Sequence, residues 1–447
     1  MCGICGWVDW DGAADDAAVR RMSERLAHRG PDAAGLWRDP AGVAVLGHRR
    51  LAVLDTSERA HQPMVHGSGQ VLAFNGEVYS FREIRRELEA EGASFRSSGD
   101  TEVVLAALAR WGTAALERFV GMFALALWDP GRQRLLLVRD RFGIKPLFVA
   151  TLPRGLAFAS EVPALLAHPQ VSGDIDRGAV ARWLLQGYPT GRTTLTRGVW
   201  RLPPGHLLEA EGERVAVRSW YDLLDRVEPL AAAAAGDAAE RLAKLLREAV
   251  RCRLVSDVPL GCFLSGGVDS TAVVAAAAAA GARPDTLTVS FAGGDDESPE
   301  ARRTAQALGL DHSCEPCTPA EMLEVFEGWH RIAGDPLADP SLAPTWLVSR
   351  TARRRWTVAL SGDGGDELLG GYPRLKLMSH FERWHRAPGV VRAVLPRALP
   401  ARRWAAKLGA ALACRDRWGA YQALQGVWPA AEAARLCGLE QAPPVWP

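Results

Sequence analysis

The second residue of the chain is a cysteine, in the run Met1-Cys2-Gly3-Ile4-Cys5-Gly6. Loss of the initiator methionine is expected before a residue this small, and it would leave Cys2 with both a thiol and a free α-amine. An α-amine titrates near ~7.7, so much of it is a base at neutral pH. It can take the thiol's proton, directly or through one water, without a histidine. Attack by such a thiol on an acyl carbon builds an oxyanion that needs donors already in place. Asn75-Gly76 offers a side-chain amide and a backbone N–H that no Cβ obstructs. The plain alternatives are that Cys2 is a buried terminal residue and Asn75-Gly76 a turn dipeptide.

A second set of residues suits a polyanion. Leu264-Ser265-Gly266-Gly267-Val268-Asp269-Ser270 lies between a short apolar run and an alanine-rich stretch. Glycines let backbone approach an anion closely, and a helix N-terminus presents unpaired N–H groups at a positive dipole end. Ser265 and Ser270 add hydroxyls, and Asp269 is a candidate Mg²⁺ ligand beside phosphates. The Gly-Lys-Ser/Thr ending of a Walker loop is missing. Ser361-Gly362-Asp363-Gly364-Gly365-Asp366-Glu367, followed by Gly370-Gly371-Tyr372, is a second loop of similar make. A glycine turn with a helix cap is the alternative for the first loop, and Asp366 serves equally as metal ligand or cap.

Positioning these residues takes two kinds of element. In the first half, Val43–Leu46, Val71–Phe74, Gly121–Trp128 and Arg134–Val138 read as strands, with Asp129-Pro130-Gly131 as a hairpin turn and one helix from Asp16 to Leu26. Leu202-Pro203-Pro204-Gly205 breaks that pattern, and Leu230–Gly236, with its run of alanines, reads as a connector or helix start. Beyond it, helix Ala238–Arg251, strand Gly261–Leu264, helix Ser270–Ala280, strand Thr286–Phe291, helix Ser298–Leu308 and strand Thr357–Leu360 alternate. Such alternation indicates a parallel sheet covered on both faces. The expected division is 1–210 and 236–447.

Composition narrows the classes. With 447 residues, 48% of them hydrophobic, two domains with real cores are affordable. Charges nearly cancel, 53 Lys+Arg against 52 Asp+Glu, which argues against a general nucleic-acid or membrane-surface binder. No apolar run reaches membrane-span length and no secretory signal opens the chain, so a cytoplasmic protein is expected. Among eight cysteines, Cys2/Cys5 and Cys314/Cys317 have C-x-x-C spacing. The pairs lie roughly 310 residues apart, so unpaired thiols are expected rather than one zinc site.

The opening hexapeptide, together with His28-Arg29-Gly30-Pro31-Asp32, Gly47-His48-Arg49-Arg50-Leu51, Asn75-Gly76-Glu77-Val78-Tyr79, Ser98-Gly99-Asp100-Thr101-Glu102 and Arg139-Asp140-Arg141-Phe142-Gly143-Ile144-Lys145-Pro146-Leu147, resembles the class II glutamine amidotransferases in order and spacing. The resemblance implies an N-terminal α+β domain of layered sheets, αββα, of the N-terminal-nucleophile hydrolase kind. It also implies that Cys2 attacks glutamine and releases ammonia through a glutamyl thioester. Free glutamine carries a carboxylate that Arg50 can clamp, and an ammonium that Glu77 and Asp100 can pair. Arg50 as a surface charge and Asp100 as a helix cap are the alternatives. His28 and His48 read as supports.

The two glycine loops, with Asp335-Pro336, Asp339-Pro340-Ser341 and Pro344 between them, resemble the asparagine synthase domain, an α/β domain with a parallel sheet akin to the ATP pyrophosphatases. That resemblance implies Mg²⁺ and ATP split to AMP and pyrophosphate. Leu264 and Val289 would touch the adenosine part, Ser361 and Gly362 would line the pocket, and Asp363 would stand where an acidic residue accompanies formation of β-aspartyl-AMP. Amidation of aspartate to asparagine is the expected reaction. Another carboxylate acceptor, a glutaminase without synthesis, or an ATP- or glutamine-binding module are the other readings. Small molecules are the expected partners, with room for a homodimer. The resemblance is clear to about residue 375; the family's E-V-R-x-P-F-L-D-like segment and its lysine are not found after Tyr372, so a chain shortened there is expected.

Overall fold

A computed structural model describes residues 1–227, 237–291, 296–329, 335–385, 390, 403–414 and 416–444. The expected connector Leu230–Gly236 lies outside them.

The strands of the first half have apolar residues on both faces, as strands between two layers must. They form two six-stranded antiparallel sheets. The first has the order β10 (Val199–Arg201), β8 (Phe148–Leu152), β9 (Gly155–Ala159), β1 (Gly3–Asp9), β3 (Ala44–Arg50), β2 (Ala33–Arg38). The second runs β12 (Arg214–Ser219), β11 (His206–Glu211), β7 (Arg134–Arg139), β6 (Gly121–Asp129), β5 (Val71–Val78), β4 (Met64–Val65). Alternation assigns the faces. Ile4 and Val8 of β1 meet Val71 and Ala73 of β5, Ala124 and Ala126 of β6 and Trp128 in a core between the sheets. Cys5 and Trp7 point the other way, onto α1 (Asp16–Glu24) and α4 (Val162–Leu165). Leu72, Phe74 and Val78 pack beneath α2 (Phe81–Ala90) and α3 (Thr101–Trp111). Helix, sheet, sheet, helix is the layering expected. β12 carries the second sheet past residue 210.

The second half holds a four-stranded parallel sheet in the order β15 (His312–Cys317), β14 (Asp285–Phe291), β13 (Leu260–Phe263), β16 (Val358–Leu360). Helices α6 (Ala238–Arg253), α7 (Val268–Ala279), α8 (Ser298–Leu308) and α9 (Pro319–Glu327) flank it, with another over Leu342–Ala352. β15 was not expected. Its sequence His-Ser-Cys-Glu-Pro-Cys lacks an apolar run, and Pro316 is tolerated because the strand is at an edge. It also places Cys314 and Cys317 in extended backbone; all eight cysteines are unpaired. A short helix, α5 (Arg177–Gln186), and β10 join the halves: Trp183 Nε1 of α5 donates to Pro336 O at 2.9 Å, and Arg201 of β10 pairs with Asp335. No helix among the described residues is long and apolar enough to cross a membrane.

Candidate active sites

Cys2 stands at the start of β1, where Gly3 is registered against Arg49 of β3. Its backbone is held by Arg29, whose Nε donates to Cys2 O at 2.9 Å while Nη1 pairs with Glu161 at 2.7 Å. Leu51 N–H donates to Cys2 Sγ at 3.4 Å. A cavity of about 240 Å³ opens beside the thiol, and Arg50, Asn75, Gly76, Glu77, Asp100 and Lys145 all reach its wall. The expected nucleophile, oxyanion donors and amino-acid clamps are therefore gathered from β1, β3, β5 and the start of α3. A further part of the wall is Thr357, Val358 and Ala359, from the second domain.

Asn75 is 1% exposed, and neither its amide nitrogen nor its amide oxygen has a partner among the described residues. Buried amides are normally satisfied, so this one is set to meet a ligand. Neither this residue nor Gly76 sits in a turn: both lie within β5, paired with Ala124 and Phe123. A Cβ on Gly76 would come to 2.7 Å from Phe123 Cα, so only glycine fits. Asp100 does not cap α3; its carboxylate accepts from Val78 N–H at 2.9 Å, on the strand that carries Asn75. Arg50 is buried, with Nη1 donating to Ser57 O at 2.8 Å and Nη2 to the carbonyls of Leu54 and Asp55. The guanidinium thus shapes the loop 51–57 as well as facing the cavity.

Burial sets the charges here. It pushes the Cys2 thiol up, so an external base is needed. It pushes the α-amine, which belongs to Met1 in this structure, down to about 6, helped by Lys145 and Arg29; the neutral base form then prevails at pH 7. Burial raises Asp100 to about 7, with Glu77 adding to the effect, and raises Glu77 itself. It lowers Lys145, while Glu77 opposes that. His48 is buried against Phe74 O and pushed down to about 3, a neutral support; His28 sits outside against Glu161. Lys145, Arg29 and Leu51 stood in the quoted motifs without roles, because those roles arise from contacts between distant parts of the chain.

The second site is built at the carboxyl ends of parallel strands, the usual place for ligands in such sheets. A cavity of about 400 Å³ is lined by Leu264, Ser265, Thr288, Val289, Asp296, Glu297 and Thr345, among others. Leu264 and Val289 therefore lie together; Ser361 and Gly362 are not on that wall. They sit instead behind the first loop, where a Cβ on Gly362 would be 2.8 Å from Ser270 N and 3.0 Å from Asp269 Cβ. The loop is braced by Ser265 Oγ and Ser270 Oγ, 2.9 Å apart. Gly267, not Asp269, is the N-cap of α7, and the Asp269 carboxylate makes no hydrogen bond to the described residues. Gly266 N–H is occupied by Glu297 Oε2 at 3.1 Å. Asp363 is exposed and accepts from Ser361 Oγ at 2.7 Å. The Asp366 carboxylate packs on the backbone of Gly371 and caps nothing. Among the described residues no group of three or more His, Cys, Asp or Glu side chains could hold a metal by itself. A Mg²⁺ bound mainly through phosphate oxygens and water needs only one or two carboxylates, and the free Asp269 fits that.

Known proteins resolve the same two parts. The model of the glutamine amidotransferase domain matches residues 1–221, and that of asparagine synthase matches 241–436. A putative glutamine-hydrolysing asparagine synthetase of Mycobacterium bovis is 36% identical over 83% of this chain and 60% of its own length. Asparagine synthetase 1 of Bacillus subtilis is 32% identical over 88% of this chain and 62% of its own. A putative asparagine synthetase of Methanocaldococcus jannaschii is 30% identical, with 83% and 76% covered. The chain spans about 60% of the length of the first two. By these matches the chain belongs to the glutamine-hydrolysing asparagine synthetase family.

Proposed function

We propose that the chain releases ammonia from glutamine at Cys2 and uses it to amidate aspartate at an ATP-dependent site in the second domain. The observation that carries the first step is the unpartnered, buried Asn75 amide in the cavity beside the Cys2 thiol. Once Met1 is removed, the Cys2 α-amine takes the thiol proton. Sulfur then bonds to the carboxamide carbon, and the oxyanion meets Asn75 and Gly76 N–H. Collapse breaks the C–N bond, the proton goes to the leaving nitrogen, and ammonia departs. Water cleaves the thioester to glutamate. Arg50 would hold the substrate carboxylate, and Glu77 and Asp100 its ammonium. Ammonia free in neutral water is mostly ammonium, which has no lone pair; a cavity already walled by Thr357–Ala359 of the second domain supports direct passage.

In the second domain Leu264 and Val289 would take the adenosine part, and the 265–270 loop with Ser361 and Gly362 behind it the phosphates. Mg²⁺, when bound, would neutralise the departing pyrophosphate, and Asp269 is the residue placed to hold it. Aspartate's carboxylate attacks the α-phosphorus, pyrophosphate leaves, and ammonia displaces AMP from the β-aspartyl adenylate to give asparagine. Asp363, exposed beside Ser361, and Asp366 are kept as candidates at this site. The natural partners are these small molecules, in a soluble cytoplasmic enzyme.

The test is product analysis from glutamine, aspartate and Mg·ATP. Glutamate formation, with intact mass showing one methionine lost, tests the first step, and formation of asparagine, AMP and pyrophosphate tests the second. Cys2→Ala should abolish glutamate formation, by about 10⁴-fold or more for loss of a nucleophile, and leave ammonia-dependent synthesis in place. Undiminished glutamate formation by that variant, or an active enzyme that retains Met1, would refute the mechanism.

A further inference from the structure

The glutamine cavity is walled on one side by Arg50, the last residue of β3, and by Leu51, Val53 and Leu54 of the loop 51–57. That loop has no regular structure of its own, and it is held from three directions. From inside, Arg50 donates to the carbonyls of Leu54, Asp55 and Ser57. From the connection between α2 and α3, just before Asp100, Ser98 N–H donates to Asp55 Oδ2 at 2.7 Å. From the second domain, Asp257 makes two hydrogen bonds: its N–H donates to Val53 O at 3.0 Å, and its Oδ2 accepts from Asp55 N–H at 2.7 Å. Asp55 joins all three holds, and its φ of +49° lies in the left-handed region that a residue with a Cβ rarely adopts unaided. External bonds must keep it there.

Asp257 is well placed to do so. The segment from Arg253 to Asp257 lies against the first domain. Arg253 sits 4.6 Å from the Tyr79 ring centroid, just past β5, and Val255 packs with Leu54 on the core beneath α2 and α3. Two residues further, Pro259 O accepts from Thr357 N–H at 3.0 Å, and Thr357 is part of the cavity's far wall. We propose that Asp257 is a positioning residue for glutamine: from the second domain it fixes Asp55, and through Asp55 it sets Arg50 and the 51–57 wall. This rests on the reading of the cavity as a glutamine site. It assigns part of that site's affinity to a residue that neither lines the cavity nor takes part in the chemistry.

The experiment measures KM and kcat for glutamate formation by the full chain, together with the dissociation constant for glutamine by calorimetry in a Cys2→Ala background. Asp257→Ala should raise both KM and the dissociation constant by roughly 3- to 10-fold, the effect of one ordinary hydrogen bond, with kcat within about twofold. Asp257→Asn keeps an oxygen acceptor and should restore both to near the parent value. If the Ala variant fails to fold, Asp257→Ser is read in the same way. Unchanged KM and affinity, a fall in kcat alone, or an Asn variant as weak as Ala would overturn the assignment. A chain that binds glutamine in an Asp257-dependent way but forms no glutamate would overturn the proposed hydrolysis and leave this assignment standing. No binding of glutamine at all would overturn both.

Discussion

The two sites handle water and charge in opposite ways. At the first, Asn75 is 1% exposed and Arg50, Asp100 and Lys145 each 5%; the first three come from strands or the start of a helix, and Lys145 from the connection between β7 and β8. At the second, the loops close on solvent: Val268 is 82% exposed and Leu368 78%. The difference fits the chemistry proposed for each site. Attack on an amide develops charge on one atom, and donors fixed in a dry site stabilise it without reorganising. A nucleotide brings its own charge and surface, so a loop can be completed by the ligand's binding.

That contrast can be broken at its strongest point first. Asn75→Ala should lower kcat for glutamine hydrolysis by about 10²–10³-fold, the usual cost of one oxyanion donor, with Mg·ATP binding unchanged; a loss confined to KM would make Asn75 a binding residue only. A smaller effect is expected at the open site. Asp269→Asn should weaken Mg·ATP about tenfold, read as a shift in the magnesium titration of ATP-dependent turnover, and leave glutamate formation within twofold. If both activities fell together, the sites would not be separate.

The pH profile sharpens the comparison with the least effect. The α-amine acts as a base only when neutral, and in this pocket burial pushes the Met1 amine below its ordinary value; the same burial should push an amine freed on Cys2 in the same direction, so its base form is kept to a lower pH than in water. Asp100 pairs an ammonium only when ionised, and burial raises it to about 7, so it is protonated below that pH. Going down in pH, KM for glutamine should therefore rise by a few-fold as Asp100 is protonated around 7, and kcat should fall at a pH below the ordinary amine value. Glutamate release from pH 5 to 8 reads both. A kcat limb at the ordinary amine value near ~7.7 would show that the site is wetter than its burial implies.

The sequence was legible where one contiguous stretch carries both the fold signal and the chemistry. Asn75-Gly76 completes the apolar run Val71–Phe74, and the 265–270 loop leads from a strand into a helix, whereas β1, which begins beside the nucleophile, is not among the strands read from the sequence. What could not be read depends on long-range contact. Lys145 reaches the cavity from beyond β7, and Asp257 meets a loop some 200 residues earlier. Asp100 illustrates the ambiguity well: a carboxylate before a helix signals a cap, and only the fold turns it to Val78 N–H instead. β15 was missed because an edge strand needs no apolar alternation.

The Glu297 carboxylate on Gly266 N–H has a consequence for ligand selection. That pair is exposed, so Glu297 takes a donor that water would otherwise occupy while the loop is without a ligand. The arriving phosphate must displace that carboxylate, which then stands beside a polyanion, with Glu300 close behind Gly266 and Asp269 on the same loop. Like charges brought this close repel. A divalent cation arriving with the phosphates would relieve that repulsion. The acidic rim would thus act as a filter, turning away bare phosphate, sulfate and metal-free nucleotide and admitting the magnesium complex.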